Sequence, residues 1–236
     1  MLSTSKTIMA LLMIGSASTA HATPIAFTET YYSTVAQANT GSNSDGQSID
    51  SGSSVLPISA TANVLTGSDQ ASATAFADTL LLVTSTESTS QLSTSSATAV
   101  STFHGLFNAT PGAFTFSLRF DNTNNVLADG LASGTLAATL EVSGVTLLNE
   151  LLSANSFLDK VFTLASGGTG LLDLTLISTA NAAPSDYAFN LASVNFALDA
   201  SPVPEPATWV LMLVGLAGAA RIRVKRGHSI RNFPTK

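Results

Sequence analysis

The 236 residues contain no cysteine, so disulfides, zinc–thiolate sites and cysteine nucleophiles are excluded. Many exported bacterial proteins lack disulfides, so this absence does not argue against export. Tryptophan occurs once, at Trp209, and histidine three times. Basic residues are scarce too: nine Lys and Arg in the whole chain. Between Thr23 and Ala200 only Arg119 and Lys160 stand against fourteen carboxylates, a net charge of −12 compared with −6 for the full chain. A body this acidic repels phosphate backbones, which argues against a nucleic-acid partner. Ser, Thr, Asn and Gln provide much of its solubility instead of charge.

The missing residue types also thin out the chemistry. His21 and His228 lie near the two ends, leaving His104 as the one base for a Ser-His-Asp arrangement within 23–200. It sits in STFHGLF with no G-x-S-x-G elbow nearby, and reads as a surface or edge residue. There is no H-E-x-x-H, and a single histidine does not build a His-rich catalytic zinc site. DNTNNVLAD, Asp121–Asp129, offers oxygen donors. It misses the EF-hand pattern, with Val126 where glycine belongs and Ala132 where the bidentate Glu belongs. GGTG, Gly167–Gly170, is not followed by G-K-[ST] and is no phosphate loop. The sequence therefore predicts no enzyme, no metal site and no cofactor.

Both ends carry addresses. Lys6, the apolar run Ile8–Ile14 and the Ala20-His21-Ala22 ending form a secretory signal peptide over residues 1–22. Passage through the Sec translocon and trimming by signal peptidase after Ala22 are expected. At the other end, VPEPATWVLMLVGLAGAARIRVKR begins at Val203. Ala207–Ala220 has no charge, but at ~1.5 Å per residue a helix of that length reaches only ~21 Å. Continuing to Val224, with Arg221 and Arg223 snorkelling to the interface, gives about 27 Å against a ~30 Å hydrocarbon core. Trp209 suits the opposite interface, and Arg221, Arg223, Lys225 and Arg226 form a stop-transfer cluster on the cytoplasmic side. The predicted organisation is a signal peptide (1–22), an extracytoplasmic domain (23–200), an extended linker (201–206), a short transmembrane helix with its basic cluster (207–226) and a cytoplasmic tail (227–236).

Pro204-Glu205-Pro206, Trp209, the short apolar helix and the basic cluster together resemble the PEP-CTERM sorting signal of Gram-negative bacteria, in its PEPxxWA form. Val210 stands where that form has alanine, and GHSIRNFPTK follows the basic cluster where such tails usually stop. The resemblance implies an exosortase as processing partner, cutting at or near the PEP motif. It also implies an inner-membrane intermediate that ends at the cell surface or in an exopolysaccharide or biofilm matrix. The two prolines fix φ and remove two backbone donors, which keeps Val203–Pro206 extended and open to an enzyme.

The body predicts an all-β fold, an antiparallel sandwich of jelly-roll-like type. AFTFSLRF, Ala113–Phe120, alternates with period 2, and Thr135–Val142 does so again. Thr79–Thr84 and Ser101–Phe107 are further candidate strands. Asp121–Asn125 reads as a turn cluster and Thr40–Ser54 as loop. Lys160–Ala165 and Leu171–Ser178 read as a hairpin around SGGTG. Tyr187–Leu198 reads as a long strand with a change of phase near Ala192 and Ser193. Leu147–Leu152 fits either period, including a short helix. Thr84–Thr102 holds thirteen Ser or Thr in nineteen residues, and reads as edge strands ahead of a glycosylated flexible stretch. These features point to a non-catalytic surface or matrix protein; a secreted carbohydrate-binding module or glycoside-acting enzyme on the same route is the alternative.

Overall fold

The computed structural model describes residues 22–51 and 56–200. Thirteen strands are joined by short turns: β1 (Thr23–Pro24), β2 (Phe27–Thr40), β3 (Asn43–Ser51), β4 (Ile58–Thr66), β5 (Asp69–Asp78), β6 (Leu81–Thr89), β7 (Ser95–Ala109), β8 (Gly112–Leu127), β9 (Leu131–Val142), β10 (Val145–Leu152), β11 (Ser156–Leu164), β12 (Gly168–Ala182) and β13 (Tyr187–Ala200). All pairings are antiparallel. One sheet runs β11-β8-β13-β6-β5-β4, with β1 added to β13; the other runs β10-β9-β12-β7-β2-β3. Two sheets face each other across one core, a β-sandwich.

The alternating segments lie where their period puts them. In β8, Phe114, Phe116, Leu118 and Phe120 are buried; in β9, so are Leu136, Ala138, Leu140 and Val142. Thr84–Thr102 contributes to β6 and β7 as strands, but not as the expected edges: β6 is paired by β13 and β5, and β7 by β12 and β2, so both ladders are filled on each side. Its inward positions, Thr84, Thr86, Ser88, Ser95 and Ser101, are buried hydroxyls.

Four further expectations are corrected. Asp121–Asn125 is no turn but a continuation of β8, because Asn122 and Asn124 bond Asn190 in β13 and extend the ladder. The reversal comes later, at Ala128, which has φ 53°. Most of Thr40–Ser54 is β3, a polar strand held by its full pairing with β2. β11 and β12 form no hairpin: β11 pairs with β8 in one sheet, β12 with β7 and β9 in the other. β13 keeps one phase throughout, because Ala188 and Asn190 are its inward residues while Tyr187, Phe189 and Leu191 face out. Of the two periods that fit Leu147–Leu152, the structure takes the strand, in β10, with a register shift between Thr146 and Leu148.

The core changes character along the strands. At the pole where β13 ends, large apolar side chains fill it: Phe103 and Phe107 in β7, Leu172, Leu174 and Leu176 in β12, and Val194, Phe196 and Leu198 in β13. Phe103 packs against Phe27 and Tyr32, each 5.0 Å away, and Phe196 at 4.7 Å between ring centroids. Gly105 and Gly170 make room for these rings: a Cβ on Gly105 would lie 2.5 Å from Phe103 Cζ, and one on Gly170 would strike the Phe107 ring. Toward the other pole the same strands carry small residues. Ala36, Ala38, Ala60, Ala62, Ala71, Ala73, Ala75, Ala97 and Ala99 form a second apolar cluster with Val64.

Small inward side chains on both sheets let the sheets come close enough for hydroxyls to bond across the gap. Thr84 Oγ1 and Ser178 Oγ are 2.6 Å apart, as are Thr40 Oγ1 and Thr66 Oγ1 and also Ser88 Oγ and Ser95 Oγ. Ser101 donates to the carbonyls of Phe76 and Val83, both at 3.1 Å. The alanine-rich half thus combines modest apolar burial with paired hydroxyls, the condition under which buried polar groups are tolerated; Thr86 Oγ1 and Asn190 Oδ1 are the exceptions among the described residues, buried without a partner.

Candidate functional site

Three places on the body carry chemistry: the junction of its two ends, the outer face of the β7 sheet and the small-residue pole. The junction comes first. β1 lies on the part of β13 beyond its pairing with β6: Thr23 is opposite Ala200 and Pro24 opposite Asp199, and Ile25 N–H donates to Leu198 O at 2.8 Å. Ala22 is exposed at the start of this short strand. The first residues after the predicted signal cleavage and the last residues before the linker therefore leave the sandwich side by side, from the pole with the large apolar core. Only Ser201–Val203 separate β13 from Pro204 in the sequence.

On the outer face of the second sheet, strand register sets Tyr31, His104, Asp173 and Thr139 in one row. His104 Nδ1 is 2.6 Å from Asp173 Oδ1, both half-exposed. Asp50 accepts from the Tyr31 hydroxyl and raises its pKa. Two members of a triad are present, but no serine hydroxyl bonds His104 among the described residues. The pair occupies an open sheet face, without the cleft that excludes water from hydrolytic sites.

At the small-residue pole, buried Asp69 gathers the β6–β7 turn. It accepts from the N–H groups of Gln91, Leu92 and Ser93 at 2.6, 3.0 and 2.9 Å, and from the Ser93 hydroxyl. The Ser93 hydroxyl bond and the Gln91 and Leu92 amides lower its pKa to about 2. Nothing local in TGSDQ marks Asp69 as a buried acceptor.

The two lateral edges are treated differently. At the β3/β4 edge, Gln47 Oε1 accepts from Thr61 N–H at 2.7 Å and Asp45 Oδ2 from Asn63 N–H at 2.9 Å, so side chains occupy donors that would otherwise template another strand. At the β10/β11 edge, Lys160 Nζ meets Glu150 Oε1 at 2.9 Å, while Val145, Leu151, Phe157 and Val161 are exposed. Among the described residues no group of three or more His, Asp or Glu is placed to hold a metal ion. Asp121 of the candidate calcium stretch instead takes both Arg119 Nε and Nη2, at 2.8 and 3.3 Å.

Ala20, Pro204, Glu205, Pro206, Trp209, Arg221, Arg223, Lys225 and Arg226 lie outside the described residues, as do the predicted membrane helix and tail.

The described body is an antiparallel β-sandwich by its sheet order and facing cores. A family model described as the PEP-CTERM protein-sorting motif matches residues 202–226. The chain carries that motif, and by it is an exported, exosortase-sorted protein. No curated protein matches the sequence. Among solved structures the chain is similar to TmCBM61 in complex with β-1,4-galactotriose, at 7% identity and a TM-score of 0.25, over 57% of this chain and 90% of that one. At that score the likeness bears neither on topology nor on a ligand.

Proposed function

We propose that this chain is a non-catalytic cell-surface or exopolysaccharide-matrix protein, freed from a membrane-held precursor by an exosortase cut at or near Pro204-Glu205-Pro206. The observation that carries the reading is the combination of the sorting motif over 202–226 with a sandwich whose two ends meet at Thr23–Ala200. In a precursor still holding its signal peptide, both membrane-inserted segments would pull on the same pole. The body can fold there and remain folded while either anchor is removed, because neither cut passes through a strand. The sparse chemistry of the body supports a passenger role: its single histidine pairs with an aspartate on an open face, and several of its inward hydroxyls bond between the two sheets.

The test is intact-mass spectrometry of the protein from its native host, with and without the exosortase gene. The expected mature form starts at Thr23 and ends near Pro204, and the exosortase-deficient strain accumulates a form extending to Lys236. A mature protein that retains Lys236 in the wild-type strain overturns the reading.

A further inference from the structure

The geometry points to a binding subsite for a neutral hexose ring at the β8/β11 edge, built on Phe157, Arg119, Asp121 and Asn155. These residues, with Phe120 and Ser156, line a shallow hollow of about 370 Å³, within the range of small-ligand sites. Phe157 lies directly opposite Arg119 in the β8–β11 register, on the outer face of the sheet. It is 69% exposed, so a ring that would bury well in the nearby core stands at the surface instead. No other aromatic ring packs on it among the described residues.

The rim supplies both senses of hydrogen bond. Arg119 spends two N–H groups on Asp121 and keeps three. Asp121, with each oxygen accepting once, retains lone pairs. Asn155 accepts from Asn122 N–H through Oδ1 at 2.6 Å, which fixes its amide and leaves the NH₂ as a donor. The site thus offers an apolar plate beside donors and an acceptor. A pyranose ring fits that pattern: one face is C–H, and its rim of hydroxyls both donates and accepts.

Charge selects among ligands. Arg119 and Asp121 neutralise each other within the hollow, while the body around it carries −12. A polyanion is repelled by that field, and a cation gains nothing beside the guanidinium. A neutral glycan meets neither penalty. The inference rests on the matrix-protein reading only for the glycan's availability; a failed titration leaves the tail-cleavage result untouched, so the two fail separately.

The test is calorimetric titration of full-length protein in a non-glycosidic detergent with cellotetraose, mannotetraose and tetragalacturonate, backed by saturation-transfer NMR. A single subsite predicts a Kd of about 1 mM for at least one neutral tetraose. Phe157→Ala should weaken it by about tenfold or more, and Arg119→Lys, which keeps the charge and loses the fork, by severalfold. Tyr31→Ala on the other sheet serves as control and should bind as wild type. Phe157 is exposed, so thermal unfolding of Phe157→Ala should match wild type and confirm that folding is intact. The proposal is overturned by no binding of either neutral tetraose at 10-fold above the expected Kd, by unchanged binding in Phe157→Ala, or by binding of the uronate alone. Phe157-dependent self-association in sedimentation, with no glycan effect, would also overturn it by making the edge a contact between two copies.

Discussion

Replacing Thr84 by valine removes one hydroxyl and keeps the β-branched shape, so it isolates the contribution of a single bond between the sheets. Thr84 Oγ1 and Ser178 Oγ are 2.6 Å apart, both residues are fully buried, and the only other bond of Ser178 Oγ is a long one to Thr84 O at 3.5 Å. In Thr84→Val the Ser178 hydroxyl is left with that weak partner, and in Ser178→Ala the Thr84 hydroxyl is orphaned. Each single change should cost about 1–3 kcal/mol, the penalty of an unsatisfied buried group. The double variant Thr84→Val/Ser178→Ala removes both hydroxyls together and should cost no more than either single one, giving a coupling energy of about 1–3 kcal/mol. For a body of this size each single variant should lose roughly 2–12 °C in Tm. Urea denaturation of the four proteins, with m-values compared to verify two-state unfolding, measures the cycle. If the two single costs simply add in the double variant, the hydroxyls are not partners, and the alanine-rich half is not held by hydroxyl pairs.

Three further variants test other parts of the fold. Asp69 has its pKa lowered from 3.8 to about 2, so its stabilising effect is complete above the unfolded value and is lost as pH falls through 3.8 toward 2. Asp69→Asn should flatten that limb of the stability–pH curve in thermal scans between pH 5 and 2, and an unchanged limb would show that other carboxylates set it. Phe103→Ala, which opens a cavity among Phe27, Tyr32 and Phe196, should cost about 3–5 kcal/mol. Ala75→Val, in the small-residue half, should cost about 1–3 kcal/mol by overpacking, and denaturant midpoints of the two variants report both.

What the sequence disclosed depended on contrast between the two faces of a strand. AFTFSLRF could be read because Phe and Leu alternate with Thr, Ser and Arg, and the buried set of β8 agrees with that alternation. In β6 and β7 the inward residues Thr84, Thr86, Ser88 and Ser95 differ little from their outward neighbours, so the period carries almost no hydropathy signal; the β-forming composition marks strands, but the same polarity suggests edges where the strands are interior. β3 is polar on both faces and for the same reason its sequence reads as loop. β13 misled in the opposite direction: its outward Tyr187, Phe189 and Leu191 look more like core than its inward Ala188 and Asn190. The crossing from β11 to β12 was invisible because a glycine-rich link between alternating segments serves a hairpin and a step between sheets equally well. The sorting motif was legible because its function depends on local composition, whereas Asp69 acquires its role only when the β6–β7 turn is brought to it.

The gradient in side-chain size connects the fold to its route. The end of the sandwich at which both ends of the described body meet is the end filled by Phe103, Phe107, Phe196 and Leu198, where burial per residue is largest. A segment pulled from the membrane through β1 or the end of β13 would act on the most heavily packed part of the molecule. The far pole depends on hydroxyl pairs, the Asp69-centred turn and the Asn122–Asn190 amide contact, and carries neither terminus. Pairing of Thr23–Pro24 with Asp199–Ala200 joins the two ends of the described body and can form only once residue 200 has been synthesised. On the proposed function, a cut near Pro204 would fall after β13 in the sequence and remove none of the described strands.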